Sequence, residues 1–493
     1  MFRSRLRVRL AAWLAAGLLL RLLFVWFPRP GDDDTGVYLQ LGQNLLHHGI
    51  YGIADDGVIY PSLFRLPGYP LLLATAECLF HQYWRPAVLF LQIAADLGAG
   101  LLLAAFARRY LSRRAGEITL ALAMLCPFTA VYTGITMTES LSIFAVSLGL
   151  YAAGRAIAAE SSGNRDMRAL ILIAVAASLA MLLRPDGAIL LATLAGGVFW
   201  YIARGQTALH GWRRGTLRGF RAAALCSALA LLPLIPWTVR NWNTFQVFQP
   251  LAPRYTNDPG ERVNSGFYRW LRTWSVEYVT TANVFWNLGQ DKLDPADLTP
   301  LACDTPEERS QTLALFQEYN QHRSISPELD GRFNALATQR IRRNPVRYYL
   351  WVPALRLADM VLRPRTEAFN LDVFWWRWRE HAGQTAVATF LGLLNLAYVA
   401  LAAWSFLRRR VPLAWMLGGY VLLRFLLLAT LENPEPRYTL EAYPILILAA
   451  AAAFSCNRQP HFPGPRAATA ESIQTAPGQQ QGASQSAVRQ CKA

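Results

Sequence analysis

Four sets of polar residues stand where long apolar runs end: Asp32-Asp33-Asp34 with Arg65, Thr138-Glu139, Arg184-Pro185-Asp186, and Arg240-Asn241 after Pro236-Trp237. A carboxylate can take a proton from an attacking hydroxyl. The planar fork of arginine matches phosphate oxygens. Each set alone also has a plain structural reading. Three aspartates in a row are a solvated turn, Glu139 suits a helix N-terminus, and Arg184-Pro185 marks a break between two apolar spans. Together at one membrane surface, they suit a substrate with an anionic head and a lipid tail. Adjacent aspartates could hold Mg²⁺ or Mn²⁺ through oxygen ligands, with Asp33 and Asp34 as the candidates. Neighbouring side chains do not all point to one centre, however, and no other ligand cluster is visible, so no metal and no other cofactor is expected.

The elements that must position these groups follow from periodicity. Tyr38, Leu41 and Leu45 recur at helical spacing with Leu46 beside them, while Gln40, Gln43, Asn44 and His47 fall elsewhere. The spacing predicts a short amphipathic helix lying in the membrane surface, with Asp34 as its N-cap, Thr35 as its first residue and Gly49 as its stop. Gly68 to Phe80 is apolar but too short to span, and is read as a re-entrant or juxtamembrane helix.

The chain of 493 residues is 53% hydrophobic, and its apolar residues come in long runs rather than in alternation. With a mean hydropathy of +0.20 it reads as an all-α polytopic membrane protein. The net charge of +16 sits mainly at the ends of the apolar runs, where membrane orientation explains it and nucleic acid does not. The six cysteines show neither a disulfide framework nor metal spacing, and only Cys303 lies in a long polar loop, so no disulfide is expected to be needed.

Spans are expected near 8–27, 86–107, 115–135, 140–158, 169–183, 187–203, 222–238, 384–407, 411–430 and 441–456. Arg3 to Arg9, Arg108 to Arg114, Arg204 to Arg221 and Arg408 to Arg410 then all face the cytoplasm, and the acidic cluster lies outside. The expected organisation is an N-terminal catalytic module over 1–238 with its first external loop at 28–85, an external polar region over 239–383, C-terminal spans over 384–456, and a disordered cytoplasmic tail over 457–493. Within the external region, Thr305–Asn320 and Leu329–Arg343 have soluble-helix patterns. The run Tyr348–Leu362, edged by arginines, is read as an interfacial helix, because a crossing there would put Arg408 to Arg410 outside.

These residues resemble the GT-C glycosyltransferases that use polyprenyl-phosphate sugars, among them protein O-mannosyltransferases and lipid A aminoarabinose transferases. The resemblance lies in Asp34-x-x-x-Tyr38, Arg65-x-Pro67-x-Tyr69-Pro70, Glu139, Leu183-Arg184-Pro185-Asp186-Gly187, Pro236-Trp237-Thr238-Val239-Arg240-Asn241 and Arg437-Tyr438. It implies a GT-C-like helical bundle with juxtamembrane helices in the first external loop and a large external loop region. It also implies a multi-pass enzyme of the cytoplasmic membrane with its site facing outside. Such an enzyme moves a sugar from a polyprenyl-phosphate donor to a hydroxyl of a lipid, glycan or protein acceptor.

Asp34 and Glu139 match the family's acidic positions, and Arg65 and Arg184 its basic ones. Tyr38, Tyr69, Arg240 and Arg437 are further candidates for substrate binding. The triple Asp leaves Asp33 as a substitute for Asp34, and the acidic pair of the mannosyltransferases is not reproduced residue for residue. The rival classes are a transporter or flippase of lipid-linked saccharide, favoured by the intramembrane Asp96, and a lipid-linked glycan ligase or polymerase.

Overall fold

The computed structural model describes residues 2–27, 33–162 and 164–455. Asp32, the tail from 457, Cys456 and Cys491 lie outside the described residues, as does the side chain of Asp33. The chain opens with α1 (Phe2–Trp26) and α2 (Asp33–His48), then a hairpin of β1 (Gly52–Asp55) and β2 (Val58–Pro61). The bundle continues with α3 (Gly68–Phe80), α4 (Trp84–Tyr110), α5 (Arg113–Met124), α6 (Pro127–Ala130), α7 (Glu139–Ser161), α8 (Met167–Leu183), α9 (Ala188–His210), α10 (Trp212–Leu231) and α11 (Leu234–Phe245). The polar region after α11 holds α12 (Ser265–Leu271), α13 (Tyr278–Thr280), α14 (Pro306–His322), α15 (Pro327–Arg343) and α16 (Val352–Leu362). The last helices are α17 (Trp378–Leu407), α18 (Ala414–Leu428) and α19 (Tyr443–Ala452).

Helix occupies all ten stretches expected to span. Among the described residues, five helical stretches are long and apolar enough to cross a membrane, or seven if each of two pairs bent by 47° is one span. Met167–Leu183 and Ala414–Leu428 are shorter apolar helices. Contacts gather at two poles. At one pole Arg9 meets Glu117, Gln206 holds the carbonyl of Glu160, and Arg410 holds that of Ala453; the candidate site is at the other. Reporter fusions after Arg114, Glu139, Gln311 and Arg410 should read cytoplasmic, external, external and cytoplasmic. An external signal after Arg410 overturns the ten-crossing topology.

The bundle core forms where α4, α7, α8, α9, α18 and α19 meet, around Phe106, Ile173, Leu194, Leu417 and Leu448. Ala152, Ala153, Ala156, Ala169, Ala176 and Ala177 are buried in α7 and α8. Small side chains let helix backbones approach closely, which is how helices associate in lipid. The helices of this polar region have a separate core of Trp270, Trp274, Phe316 and Phe333. α14 and α15 match the two expected soluble helices. Each begins with a side-chain cap, Thr305 accepting from the Glu308 N–H and Ser326 from the Leu329 N–H, and each has proline in its first turn.

Two local expectations are corrected. α2 begins at Asp33, so Asp34 lies within its first turn and is not the N-cap. The stretch between α2 and α3 also contains a hairpin that periodicity does not reveal. Its turn is Asp56-Gly57, with φ of 46° and 79°, the doubly left-handed geometry that a two-residue hairpin turn requires. Gly49 does end α2, at φ 69°.

Arg21 and Asp96 settle against each other inside the bundle. Arg21 Nε donates to Asp96 Oδ2 at 2.8 Å, and its other nitrogens reach the carbonyls of Gly17, Met124 and Ala123. Asp96 is therefore the counter-ion that joins α4 to α1. Asp96→Asn keeps the shape but leaves a buried guanidinium unpaired, which should cost about 3–5 kcal/mol. The purified variant should lose thermal stability accordingly; normal stability would mean that the pair does not hold these helices.

Candidate active site

The site is assembled from five separated parts of the chain. Asp34 on α2 is gripped from both sides: Arg65 Nη2 donates to Oδ1 at 2.6 Å and Arg437 Nη2 to Oδ2 at 2.7 Å. Arg65 comes from the loop between β2 and α3, and Arg437 from a 3₁₀ turn over Pro436–Ala442. Arg65 also donates to the hydroxyl of Thr256 at 3.3 Å, and its guanidinium carbon lies 5.9 Å from the centre of the Tyr38 ring. Arg437 is additionally paired with Glu435.

Beside this clamp lies a second ion cluster. Arg184, between α8 and α9, contacts Glu441 at 3.1 Å, Asp186 at 3.3 Å and Glu139 at 3.4 Å. Arg424, from inside α18, reaches Asp186 at 3.0 Å, pairs with Glu441, and donates to the carbonyl of Tyr438 at 2.7 Å. The guanidinium carbons of Arg184 and Arg437 lie 5.4 and 5.6 Å from the Tyr438 ring, so one phenol joins the two clusters. Glu139 is buried at the start of α7, and its second carboxylate oxygen has no hydrogen-bond partner among the described residues.

Two glycines make this convergence possible. A Cβ at Gly68 would stand 2.6 Å from the carbonyl oxygen of Leu182, and one at Gly187 would stand 2.3 Å from that of Ala180. Without side chains there, the loop carrying Arg65 and the turn carrying Asp186 can both press against the end of α8 next to Arg184.

Electrostatics set the state of Asp34. Burial alone raises a carboxyl pKa, but the charges of Arg437 and Arg65 and the hydrogen bonds they donate outweigh it and lower Asp34 to about 2. It is therefore a carboxylate at any physiological pH, and a weak base while both arginines hold it. Both its oxygens are taken, so Mg²⁺ or Mn²⁺ at Asp34 would have to displace a guanidinium. Among the described residues no three His, Cys, Asp or Glu groups converge as a metal site.

Of the residues singled out from sequence, Asp34, Arg65, Tyr38, Glu139, Arg184 and Arg437 are brought together. Tyr69 stands behind Tyr38, ring to ring at 5.3 Å, fully buried and donating to Gln92 Oε1 at 2.6 Å. Arg240 is elsewhere. It donates to the carbonyls of Tyr51 and Ser62, each at 2.7 Å, and packs on Tyr51, Trp237 and Phe245, so it pins the hairpin to α11. Asp186 and Tyr438 enter the sequence reading only as motif neighbours of Arg184 and Arg437, and Arg424, Glu435 and Glu441 are not among its candidates. Arg424 had a signal that went unused, since a charged residue within an apolar run is a functional hypothesis by default.

Residues 65–239 match the family model of dolichyl-phosphate-mannose-protein mannosyltransferase. That stretch carries Arg65, Tyr69, Glu139 and Arg184, and the motifs read as resembling polyprenyl-phosphate-dependent glycosyltransferases lie largely within it. No curated protein matches the chain. Similar solved structures include the oligosaccharyltransferase of Archaeoglobus fulgidus in complex with zinc and sulfate, at 15% identity and a TM-score of 0.48 over 90% of this chain and 48% of that one. Another is AglB of the same organism with an inhibitory peptide and a dolichol-phosphate, at 16% identity and a TM-score of 0.48 over 90% of this chain and 49% of that one. A third is ArnT from Cupriavidus metallidurans bound to undecaprenyl phosphate, at 14% identity and a TM-score of 0.39 over 90% of this chain and 77% of that one. The chain spans about half the length of the oligosaccharyltransferase chains.

Proposed function

We propose that this protein transfers a sugar from a polyprenyl-phosphate donor to a hydroxyl of a lipid, glycan or protein acceptor. The reaction takes place at the external face of the cytoplasmic membrane and inverts the anomeric carbon. The observation that carries the reading is the Arg65–Asp34–Arg437 clamp at the edge of a glycosyltransferase module. It offers a proton acceptor and two phosphate-matching forks within one site.

In the reaction the acceptor oxygen forms a bond to the anomeric carbon and gives its proton to Asp34. The bond from that carbon to the phosphate oxygen breaks, and its electron pair leaves with the lipid phosphate. Arg65 and Arg184 stabilise the charge that grows there, a use of fixed positive charge that needs no second acid. The resting clamp also protects the base. A donor phosphate competes with Asp34 for Arg65 and Arg437, and every donor bond that turns towards phosphate lets the proton affinity of Asp34 rise towards what a general base needs. Glu139, with one unpartnered oxygen beside Arg184, orients the acceptor or tunes this exchange.

The transporter reading rested on Asp96, which is tied to Arg21. The test is transfer by purified protein from a synthetic polyprenyl-phosphate sugar to pooled acceptors, with and without chelator. Product should form in both. No transfer to any pool, with movement of lipid-linked saccharide across vesicles instead, would overturn the reading.

A further inference from the structure

α16, with the π-helical turn Arg347–Trp351 that leads into it, has its polarity reversed relative to a helix packed on a water-soluble protein. Its buried face is Val352, Arg356 and Met360, with charge turned inwards. Its outer face is Val346, Tyr349, Leu350, Trp351, Leu355 and Leu362, and four of these, Val346, Tyr349, Leu350 and Trp351, are 54–69% exposed. At about 16 residues the segment is too short to cross a bilayer.

Its level is fixed by Arg356. That side chain donates to the carbonyls of Leu431 at 2.6 Å and Ala429 at 3.3 Å, just past the outer end of α18, and to that of Ser275 in the external region at 2.8 Å. Leu422 and Leu426 of α18 are themselves more than half exposed, as lipid-facing residues of a span are. The apolar face of α16 therefore continues the lipid-facing surface of α18 where that helix leaves the membrane, with Trp351 and Tyr349 at the level that aromatic side chains favour.

We propose that the outer face of the segment 346–362 docks in the headgroup and acyl boundary of the outer leaflet, and that this contact sets the depth of the turn carrying Arg437. α16 packs against that turn. Arg365, just beyond it, donates to the carbonyl of Pro436 and, at 2.6 Å, to the hydroxyl of Thr439, on either side of Arg437. The docking is apolar. Arg343 is paired with Glu308 and Arg347 with Asp304, so these two basic residues at the start of the segment are answered within the protein. Insertion of an apolar face, rather than attraction to anionic lipid, holds it.

The test uses the full chain with its cysteines replaced, reconstituted in phosphatidylcholine vesicles, with a nitroxide at Leu350→Cys or Leu355→Cys. Leu426→Cys serves as the lipid-facing reference and Arg332→Cys as the aqueous one. The ratio of oxygen to nickel-chelate accessibility at 350 and 355 should follow Leu426, several-fold above Arg332, and should not change when anionic phospholipid is added. A ratio that follows Arg332 overturns the docking, as does spin–spin broadening between copies, which would make this face a dimer contact. A ratio that depends on anionic lipid overturns the apolar mode. This measurement needs no activity, so it stands apart from the proposed reaction. The depth-setting part rests on that reaction. The paired outward substitution Leu350→Glu, Leu355→Glu should raise KM for the lipid donor several-fold with kcat held, and an unchanged KM overturns it.

Discussion

Asp34→Asn is expected to lower transfer by about 10²–10⁴-fold while the protein still folds and still binds donor. The substitution preserves shape and hydrogen-bonding size but removes proton affinity. The loss should therefore fall on kcat and on kcat/KM, with donor affinity kept or raised, because the amide competes less well than the carboxylate with phosphate for Arg65 and Arg437. Asp32→Asn and Asp33→Asn should cost far less, because Asp34 is the aspartate that Arg65 and Arg437 hold. Comparable losses at two of the three aspartates, with rescue by added Mn²⁺, would instead assign them to a metal. Full activity in Asp34→Asn would remove this residue from the mechanism and make Asp33 the first alternative.

The second large effect belongs to Arg437. Arg437→Gln should lower kcat/KM by about 10²–10³-fold, the cost typical of losing one fixed electrostatic donor. It should also change the pH dependence. In the native protein the Asp34 pKa is held at about 2, so the carboxylate stays ionised as pH falls through the usual carboxylate range. Its contribution to stability is accordingly present above an unfolded value of about 3.9 and is lost only as pH falls towards the folded one. With Arg437 removed, burial raises the pKa against Arg65 alone, and the acidic limb of kcat/KM should move up. A parallel loss in Arg437→Gln with the acidic limb unmoved would show that Arg437 does not act through Asp34. Arg65→Ala and Arg184→Ala should weaken donor use. Lysine at either position should be intermediate, because it keeps the charge and loses the fork. Normal donor titrations for both alanine variants would make these arginines topological anchors only.

The same residues show where local reading worked and where it failed. Helices α14 and α15 could be read because caps, prolines and apolar spacing lie within a few positions of one another. The hairpin has an equally local signal in Asp56-Gly57, but its strands are only four residues long, too short for alternation to stand out. Arg240 had the same residue type and the same place beside a span as Arg184. The fold nevertheless surrounds Arg240 with backbone carbonyl oxygens and Arg184 with side-chain carboxylates.

By itself the sequence determined the membrane class, the helical stretches, the two soluble-type helices α14 and α15 and six of the residues that meet at the site, because hydropathy, periodicity and capping are properties of neighbours along the chain. Only the tertiary structure decided which acid meets which arginine. Asp34 and Arg437 are 403 positions apart, and Glu441 and Arg424 complete the Arg184 cluster from the far end of the chain. Such pairs interact through Coulomb energy that depends on distance in space and on burial, and spacing along the chain carries neither.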